Sequence, residues 1–312
     1  QRGFTISPAS PLLRQLTSTP IGGVRMDNVA ILRLDQLAGE APGNKAFKLR
    51  PYIETARSDG VGRLLSFGGA WSNHLHALAA SGAKYGLQTV GLVRGETHEG
   101  DTAMLADVRR WGMQIERIGR SEYRRRHDRD FQEHLRERFG PCLLIPEGGA
   151  SVSAAAACRA IADMIMRCAP QVELVVLPVG TGTTLAGIAA ALPPRVEVLG
   201  ISALKGALDL SARVHDLLAQ MAVPTPPNWR ISHDYHGGGF ARVSPELRAF
   251  LLEFEAVQGV LLDPVYTAKT LYAVQQMIAL GEISAKRATL MVHTGGLQGR
   301  RGYDWLDGPA LC

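Results

Sequence analysis

Two lysines three positions apart, Lys45 and Lys48, are the first residues whose type suggests chemistry, in the stretch GNKAFKLRPY. A lysine amine can form a Schiff base, which requires a carbonyl group on a cofactor or a substrate. Lys45 follows Gly43 and Asn44 in a predicted turn, and a cation at a helix start is badly placed for the helix dipole. We therefore expect Lys45 to have an anionic or carbonyl partner, although the spacing alone does not choose between the lysines.

Pro51 limits the helix that can carry these lysines. A helix that begins at Asn44 would lose a hydrogen bond at Pro51 and be kinked, because proline has no backbone N–H. A helix that begins near Leu49 or Arg50 would accept Pro51 in its first turn. The sequence leaves both alternatives open.

The stretch VGTGTTLAG, residues 179–187, follows a predicted strand and opens a predicted helix. Gly180 and Gly182 permit tight turns, and the amides and dipole of a helix start favour an anion. Thr181, Thr183 and Thr184 add hydroxyl donors. The stretch lacks the Gly-Lys-Ser/Thr ending of a Walker loop and the third glycine of a dinucleotide motif. It therefore predicts a phosphate site, with a plain glycine turn as the alternative.

The stretch GGAWSNHLHALAA, residues 68–80, also joins a predicted strand to a predicted helix. Ser72 or Asn73 could be the N-cap of that helix, which is the usual role of these residue types. The same hydroxyl and amide beside two glycines also suit a small polar ligand. His74 and His76 are two positions apart and point to different faces of a helix. Their spacing argues against a shared metal ion.

Short apolar stretches that end in glycine alternate with helical stretches along the chain, as in VELVVLPVG followed by TTLAGIAAAL. This alternation predicts an α/β fold of mainly parallel, twisted sheets with helices on both faces. Ligands of such sheets bind beyond the carboxyl ends of the strands. The loops SFGGAWSNH, PVGTGTT and VHTGG stand at predicted strand ends, so the site is expected there.

The composition is that of an ordinary globular protein, with 312 residues of which 46% are hydrophobic and 20% charged. No apolar run approaches the roughly 20 residues of a membrane span, and the N-terminal stretch lacks the apolar core of a signal peptide. We expect no membrane partner. The cysteines form no CxxC pair or zinc pattern, which predicts no metal site and reduced thiols in the cytoplasm. They are Cys142, Cys158, Cys168 and Cys312.

The segment 117–139 is rich in arginine, and clustered arginine attracts phosphate, which allows a nucleic-acid interpretation. Acidic residues and two histidines are interleaved with the arginines, which favours a solvated helix. Aromatic residues are sparse there, which weakens any stacking surface for single strands. We therefore expect no nucleic-acid partner.

Four motifs occur in order along the chain: GNK at 43–45, GGAWSN at 68–73, GTGTT at 180–184 and LLDPVYTAK at 261–269. In this order they resemble the pyridoxal-phosphate enzymes of the tryptophan-synthase-β fold (fold type II). Within that fold, the likeness is to the group of 1-aminocyclopropane-1-carboxylate deaminase and D-cysteine desulfhydrase. The resemblance covers most of the chain. It implies two domains, a large cofactor-binding domain of residues 1–46 and 156–312 and a small domain of residues 47–155.

The resemblance implies catalytic roles for three residues. Lys45 would bind the cofactor covalently and later move the substrate's α-proton. Ser72 would lie beside the substrate, near its carboxylate. Tyr266 would face the substrate.

The resemblance also implies which residues bind pyridoxal 5′-phosphate besides Lys45. Asn73 would hydrogen-bond the cofactor's 3′-oxygen, Thr267 would lie against the pyridine nitrogen, and Thr294 would complete the surroundings of the cofactor. The 5′-phosphate would be held by Gly180, Thr181, Gly182, Thr183 and Thr184.

Two positions depart from the deaminases. Deaminases carry a glutamate where this chain has Thr267, whose hydroxyl cannot compensate a positive pyridine nitrogen, so a neutral nitrogen is expected. The desulfhydrases also carry threonine there. Phe240 takes the position of a second tyrosine, with Tyr235 nearby but out of register, so opening of a cyclopropane ring is not expected. Glu147 either lies near the substrate or caps the helix that follows.

Together these features predict a pyridoxal-phosphate-dependent lyase that acts on a small amino acid. α-Proton abstraction and β-elimination would give a keto acid and ammonia, most like D-cysteine desulfhydrase. A 1-aminocyclopropane-1-carboxylate deaminase is the alternative within the same chemistry, and a protein that binds phosphate or a nucleotide non-covalently is the alternative from another class. The resemblance implies a homodimer, whereas residue spacing reveals neither the physiological substrate nor its stereochemistry.

Overall fold

The computed structural model describes residues 11–95, 100–223 and 228–306. Within those ranges it has ten strands: β1 (Leu13–Gln15), β2 (Val29–Arg33), β3 (Arg63–Gly68), β4 (Gln88–Arg94), β5 (Gln114–Ile118), β6 (Leu143–Ile145), β7 (Leu174–Val179), β8 (Glu197–Ser202), β9 (Trp229–Ser232) and β10 (Thr289–His293). Short 3-10 turns lie at Leu34–Gln36, Arg125–His127, Glu147–Gly149 and Leu297–Gly302. Cys312 and most of the N-terminal stretch considered above lie outside the described residues.

The described residues also form eleven α-helices: α1 (Asn44–Ser58), α2 (Asn73–Tyr85), α3 (Ala103–Arg110), α4 (Arg120–Arg124), α5 (Arg129–Phe139), α6 (Val152–Ala157), α7 (Arg159–Cys168), α8 (Thr183–Ala191), α9 (Leu210–Gln220), α10 (Pro245–Gln258) and α11 (Thr267–Ala279). None of the described helices is long and apolar enough to cross a bilayer.

The chain divides into two compact units. The first holds the described residues up to Leu37 together with Ala155–Leu297, and the second holds Ala38–Ala154 and the described residues from Gln298 onward. The domains predicted from the resemblance have their bounds at 46/47 and 155/156, whereas these units divide at 37/38, 154/155 and 297/298. Residues 38–46, including Lys45, therefore belong to the second unit.

The first unit is built on a six-stranded sheet of order β1-β2-β10-β7-β8-β9. Its strands are parallel except β1, which pairs antiparallel with β2 at the edge. All six residues of β7 are buried, as its continuous apolar sequence predicts for a strand covered on both faces. Helix α8 packs against α7 and α9. The carboxyl end of β7 leads directly into the loop before α8.

The second unit is built on a four-stranded parallel sheet of order β5-β4-β3-β6. Successive side chains of β3 point to opposite faces, so Leu64 packs in one core and Leu65 in another. The first core includes apolar residues of α1, α2 and α3, and the second includes Phe131 and Leu135 of α5. Helices therefore cover both faces of this sheet, which confirms the predicted α/β class.

Helix α1 begins at Asn44 and contains Pro51 in its interior. The first of the two predicted alternatives is therefore the observed one, and the alternative start near Leu49 or Arg50 is wrong. Its N-cap, Gly43, has φ +139° and supplies no side-chain cap, so the usual N-cap residue that marks a helix start is absent from the sequence. Because Pro51 has no N–H, the carbonyl of Phe47 lacks its usual partner four residues on.

The arginine-rich segment forms two helices, α4 and α5, instead of the single helix predicted. Asp128 causes the break, because its side chain accepts from the backbone N–H of Asp130 and so caps a new helix. Acidic neighbours compensate several arginines: Arg126 pairs with Glu147 at 2.7 Å and Arg138 with Glu116 at 2.9 Å. The segment is thus partly neutralised within the second unit.

Candidate active site

Lys45 lies in the first turn of α1 and is half-buried, with its Nζ 3.3 Å from Asn44 Oδ1. Lys48, one turn further along, is only 2% exposed. Lys48 is therefore part of the interior of the second unit, where a charged amine is stable only if nearby groups compensate its charge. Lys45 is the more exposed lysine of this pair.

The loop between β3 and α2 carries Ser72 and Asn73. Ser72 is the N-cap of α2, because its Oγ accepts from the backbone N–H of Leu75 at 3.1 Å. A Cβ on Gly68 would come within 2.5 Å of Ser72 Oγ, so only glycine allows this close approach of loop and strand. Asn73 Oδ1 accepts a hydrogen bond from Gln298 Nε2 at 2.7 Å. The hydroxyl and the amide are thus held at the carboxyl end of β3.

His74 is a buried residue that the sequence did not identify as important. Its Nε2 lies 2.7 Å from Ser66 Oγ, and that hydroxyl donates to the carbonyl of Ile145 at 2.8 Å. Nε2 therefore carries the proton. Burial, with added repulsion from Lys48 and Lys45, holds the pKa of His74 well below its usual value, so the ring is neutral.

The two histidines of α2 have separate partners. His76 Nε2 lies 3.1 Å from Asp107 Oδ2, whereas His74 contacts Ser66. Among the described residues no group of three or more histidine, cysteine, aspartate or glutamate side chains is arranged to hold a metal ion.

The GTGTT loop joins β7 to α8 in the first unit. Gly182 is the N-cap of α8, has φ +84° and supplies no side-chain cap. A Cβ there would lie 2.8 Å from Val214 Cγ2, so both conformation and packing require glycine. The hydroxyls of Thr181 and Thr183 lie 3.0 Å apart, and Thr183 and Thr184 are buried. A helix start without a side-chain cap and with added hydroxyls suits an anion.

Tyr266 and Thr267 are positioned by Asp263, a residue that the sequence analysis missed. The buried carboxylate accepts from the backbone N–H groups of Val265, Tyr266 and Thr267 at 2.9–3.0 Å. Thr267 Oγ1 donates to Asp263 Oδ1 at 2.7 Å and accepts from Asp263 N at 2.8 Å. The hydroxyl of Thr267 therefore closes the turn before α11. Asp-Pro after an apolar run was the signal in the sequence that could have indicated this turn.

Tyr266 lies beside two other parts of the first unit. A Cβ on Gly180 would lie 3.6 Å from Tyr266 Cε1 and 3.7 Å from its hydroxyl. The ring of Phe240 packs edge-on against that of Tyr266, with centroids 6.1 Å apart, and Phe240 is 52% exposed. The structure thus brings the GTGTT loop, Tyr266 and Phe240 together.

Lys269 holds the glycine loop that precedes Phe240. Its buried Nζ donates to the carbonyl of Gly239 at 2.8 Å, and Gly237, Gly238 and Gly239 all have positive φ. Burial lowers the pKa of Lys269 to about 8, although the nearby Asp263 acts in the opposite direction. This contact fixes the backbone next to Phe240.

Thr294 follows β10 and is half-buried, ahead of Gly295 and Gly296, which both have positive φ. The preceding His293 is buried, with Nε2 2.8 Å from the carbonyl of Leu261, while its Nδ1 accepts from Gly295 N at 3.2 Å. His293 therefore anchors the start of this loop inside the first unit.

Ser151 caps the helix that follows, α6, because its Oγ accepts from the backbone N–H of Ala154 at 3.1 Å, so the capping alternative for Glu147 is wrong. Tyr123 donates to its Oε1 at 2.5 Å and Arg126 to its Oε2 at 2.7 Å. Burial, reinforced by Glu147, raises the pKa of the Tyr123 hydroxyl, so it stays protonated and continues to donate. Both oxygens of Glu147 are thus engaged within the second unit.

Comparison with known proteins identifies the family. The profile of the family described as "Pyridoxal-phosphate dependent enzyme" matches residues 18–295. A Thermotoga maritima protein named "Putative 1-aminocyclopropane-1-carboxylate deaminase" is 30% identical, with 87% of this chain and 89% of that protein covered. The D-cysteine desulfhydrase of Salmonella choleraesuis is 29% identical, with 81% and 82% covered.

A crystal structure of a homologue of 1-aminocyclopropane-1-carboxylate deaminase has the same fold, with a TM-score of 0.79 at 22% identity. The alignment covers 94% of this chain and 95% of that one. The chain belongs to the pyridoxal-phosphate-dependent enzymes of fold type II.

Proposed function

We propose that the chain is a lyase that converts a small amino acid to a keto acid and ammonia by β-elimination, with D-cysteine as the substrate type. Cysteine and water would give pyruvate, sulfide and ammonia. The name of the Salmonella relative supports this substrate class. The observation that favours elimination over ring opening is the phenylalanine at position 240, packed 6.1 Å from the ring of Tyr266. On the family resemblance, Phe240 stands where the deaminases carry a second tyrosine, so we propose that this hydroxyl is missing here.

The residues of each unit suit pyridoxal 5′-phosphate. The second unit offers the amine of Lys45 for the aldehyde carbon and the amide of Asn73 for the 3′-oxygen. The first unit offers the helix start after Gly182, which has no side-chain cap, for the phosphate. We propose these roles on that chemistry, together with Thr294 at the glycine turn after β10.

When bound, the cofactor withdraws electrons from the substrate's α-carbon. The chain's own residues do the rest. In this proposal Nζ of Lys45 accepts the α-proton, and Ser72 positions the substrate carboxylate while its Oγ keeps α2 capped. Tyr266 faces the substrate and can donate a hydrogen bond from its hydroxyl to the sulfur that departs as hydrosulfide.

Thr267 has a more restricted role than the resemblance suggests. Its hydroxyl proton is donated to Asp263, and the side chain is fully buried. We propose that it acts at the pyridine nitrogen only as an uncharged neighbour, which agrees with a neutral nitrogen.

A substrate panel tests the proposal. The cofactor-loaded protein is supplied with D- and L-cysteine, D- and L-serine and 1-aminocyclopropane-1-carboxylate, and keto acid and sulfide are measured. We expect equal amounts of sulfide and pyruvate from D-cysteine and none from the cyclopropane substrate. The Thermotoga relative's name favours the deaminase as the second candidate. Turnover of the cyclopropane compound at the rate of D-cysteine would establish that candidate instead.

We also propose that the protein is a cytoplasmic homodimer. Cys158 and Cys168 are buried, and the sequence contains no CxxC pair, which suits a reducing compartment. The dimer rests on the family resemblance. Light scattering on the purified protein tests it, and a monomer mass at working concentration would contradict it.

A further inference from the structure

The side-chain amide of Gln298 contacts the β3–α2 loop in a fixed orientation. Its Nε2 lies 3.2 Å from the backbone carbonyl of Trp71 and 2.7 Å from Asn73 Oδ1. A backbone carbonyl can only accept, so the atom of Gln298 that faces it must be the nitrogen. The same nitrogen then requires an acceptor from Asn73. Gln298 therefore requires that the oxygen of the Asn73 amide, and not its nitrogen, faces Gln298 Nε2.

This orientation leaves Asn73 as a donor. Its oxygen is engaged by Gln298, and its Nδ2 has no hydrogen-bond partner among the residues that the structure describes. The amide nitrogen carries two N–H donors and no acceptor. A ligand group next to Nδ2 must therefore be an acceptor, such as an anionic oxygen.

The segment that carries Gln298 is anchored independently of Asn73. Arg301 pairs with Asp107 at 2.6 Å, and that carboxylate also receives His76 at 3.1 Å. A Cβ on Gly302 would lie 3.1 Å from Trp71 Cε2, so the segment packs directly on the loop. Gln298 thus presents its amide from a fixed backbone.

We propose that Gln298 is a positioning residue that holds the Asn73 amide with its N–H donors directed at the cofactor's 3′-oxygen. The inference rests on the proposed function, in which Asn73 contacts that oxygen. Without Gln298 the side-chain amide of Asn73 can turn over. One of its two orientations would then place Asn73 Oδ1 against the cofactor's 3′-oxygen, where two acceptors repel each other. Gln298 therefore favours cofactor binding without touching the cofactor.

Cofactor affinity in a double-mutant cycle tests this, with pyridoxal 5′-phosphate as the probe and absorbance of the bound cofactor as the signal. Gln298→Met keeps the length of the side chain and removes the donor, so we expect Kd to rise about fivefold. In an Asn73→Ala background the same change should alter Kd by less than about twofold, because the partner is gone. The absorbance of the bound cofactor is also titrated with pH. Its midpoint should be higher in the single variant Gln298→Met than in the unaltered protein, because the amide then donates less reliably to the 3′-oxygen anion.

Gln132→Met is the matched control, because Gln132 Nε2 also donates to a backbone carbonyl, that of Arg126, at 2.8 Å. It should leave Kd unchanged. If Gln298→Met does not fold, as judged by circular dichroism, Gln298→Glu replaces it and should weaken binding further, since a carboxylate turns the Asn73 amide around. If Gln298→Met changes Kd equally in the unaltered and Asn73→Ala backgrounds, this inference is overturned and the proposed function still stands. Failure of the unaltered chain to bind the cofactor would overturn the proposed function, and this inference with it.

Discussion

Asp263→Asn is the substitution that most directly tests how Tyr266 and Thr267 are held. The carboxylate receives four hydrogen bonds: two on Oδ2, from Val265 N and Tyr266 N, and two on Oδ1, from the backbone and hydroxyl of Thr267. The side chain is 2% exposed, so water cannot easily replace a lost acceptor. An amide has one oxygen, and its NH₂ group would face two donors.

The loss of stability follows from these contacts. A hydrogen bond to a charged acceptor contributes about 1.5–3 kcal/mol, and two are lost. Relaxation of the turn recovers part of this lost stabilisation, so we expect the free energy of unfolding to fall by about 3 kcal/mol. With a urea m-value of about 3 kcal/mol/M, the midpoint of denaturation would shift by about 1 M.

Urea titration followed by circular dichroism measures this change. Asp163→Asn on α7 is the matched control, because Asp163 is exposed, and it should change the free energy of unfolding by less than about 0.5 kcal/mol. A loss below about 1 kcal/mol for Asp263→Asn would refute the argument that this carboxylate holds the turn.

Two further changes test the packing around the candidate site. Burial lowers the pKa of Lys269 from 10.5 to about 8, so the unfolded chain binds more protons between those values. The stability of the unaltered protein relative to Lys269→Met should therefore rise by about 2 kcal/mol from pH 8 to 10.5, and a constant difference in urea titrations would contradict the shift. A Cβ on Gly187 of α8 would lie 2.1 Å from the carbonyl oxygen of Ala155, so Gly187→Ala should cost about 3 kcal/mol and lower Tm by several degrees. Gly62→Ala, where a Cβ meets nothing within 4 Å, should leave Tm nearly unchanged, and equal Tm values for both variants would refute the packing argument.

The parallel sheets could be predicted because a strand buried on both faces has a continuous apolar sequence. β7, with all six residues buried, is the clearest case. The strands β1 and β9 were missed because they are short edge strands with partly exposed residues. β2 was also not predicted, although four of its five residues are buried. The start of α1 was ambiguous because Gly43 provides no side-chain cap and Pro51 lies inside the helix.

The candidate site could be predicted only where its residues carry local signals. Glycines and hydroxyls at strand ends pointed to Ser72 and the GTGTT loop, since turn chemistry is local. Gln298 lies 225 positions from Asn73, and no spacing rule connects residues so far apart. Lys269 and Gly239 are 30 positions apart and meet only through the fold. These two contacts are therefore tertiary and were not visible in the sequence, unlike the local turn that Asp263 closes.

We propose that Lys45 is the lysine that binds pyridoxal 5′-phosphate. The most direct measurement is to load the purified protein with the cofactor, reduce it with borohydride, digest it and locate the pyridoxyl group by mass spectrometry. We expect one modified peptide with the group on Lys45. Lys45→Ala should lose the group, whereas Lys48→Ala should keep it. A pyridoxyl group on Lys48 or Lys269, or no modified peptide at saturating cofactor, would contradict the claim.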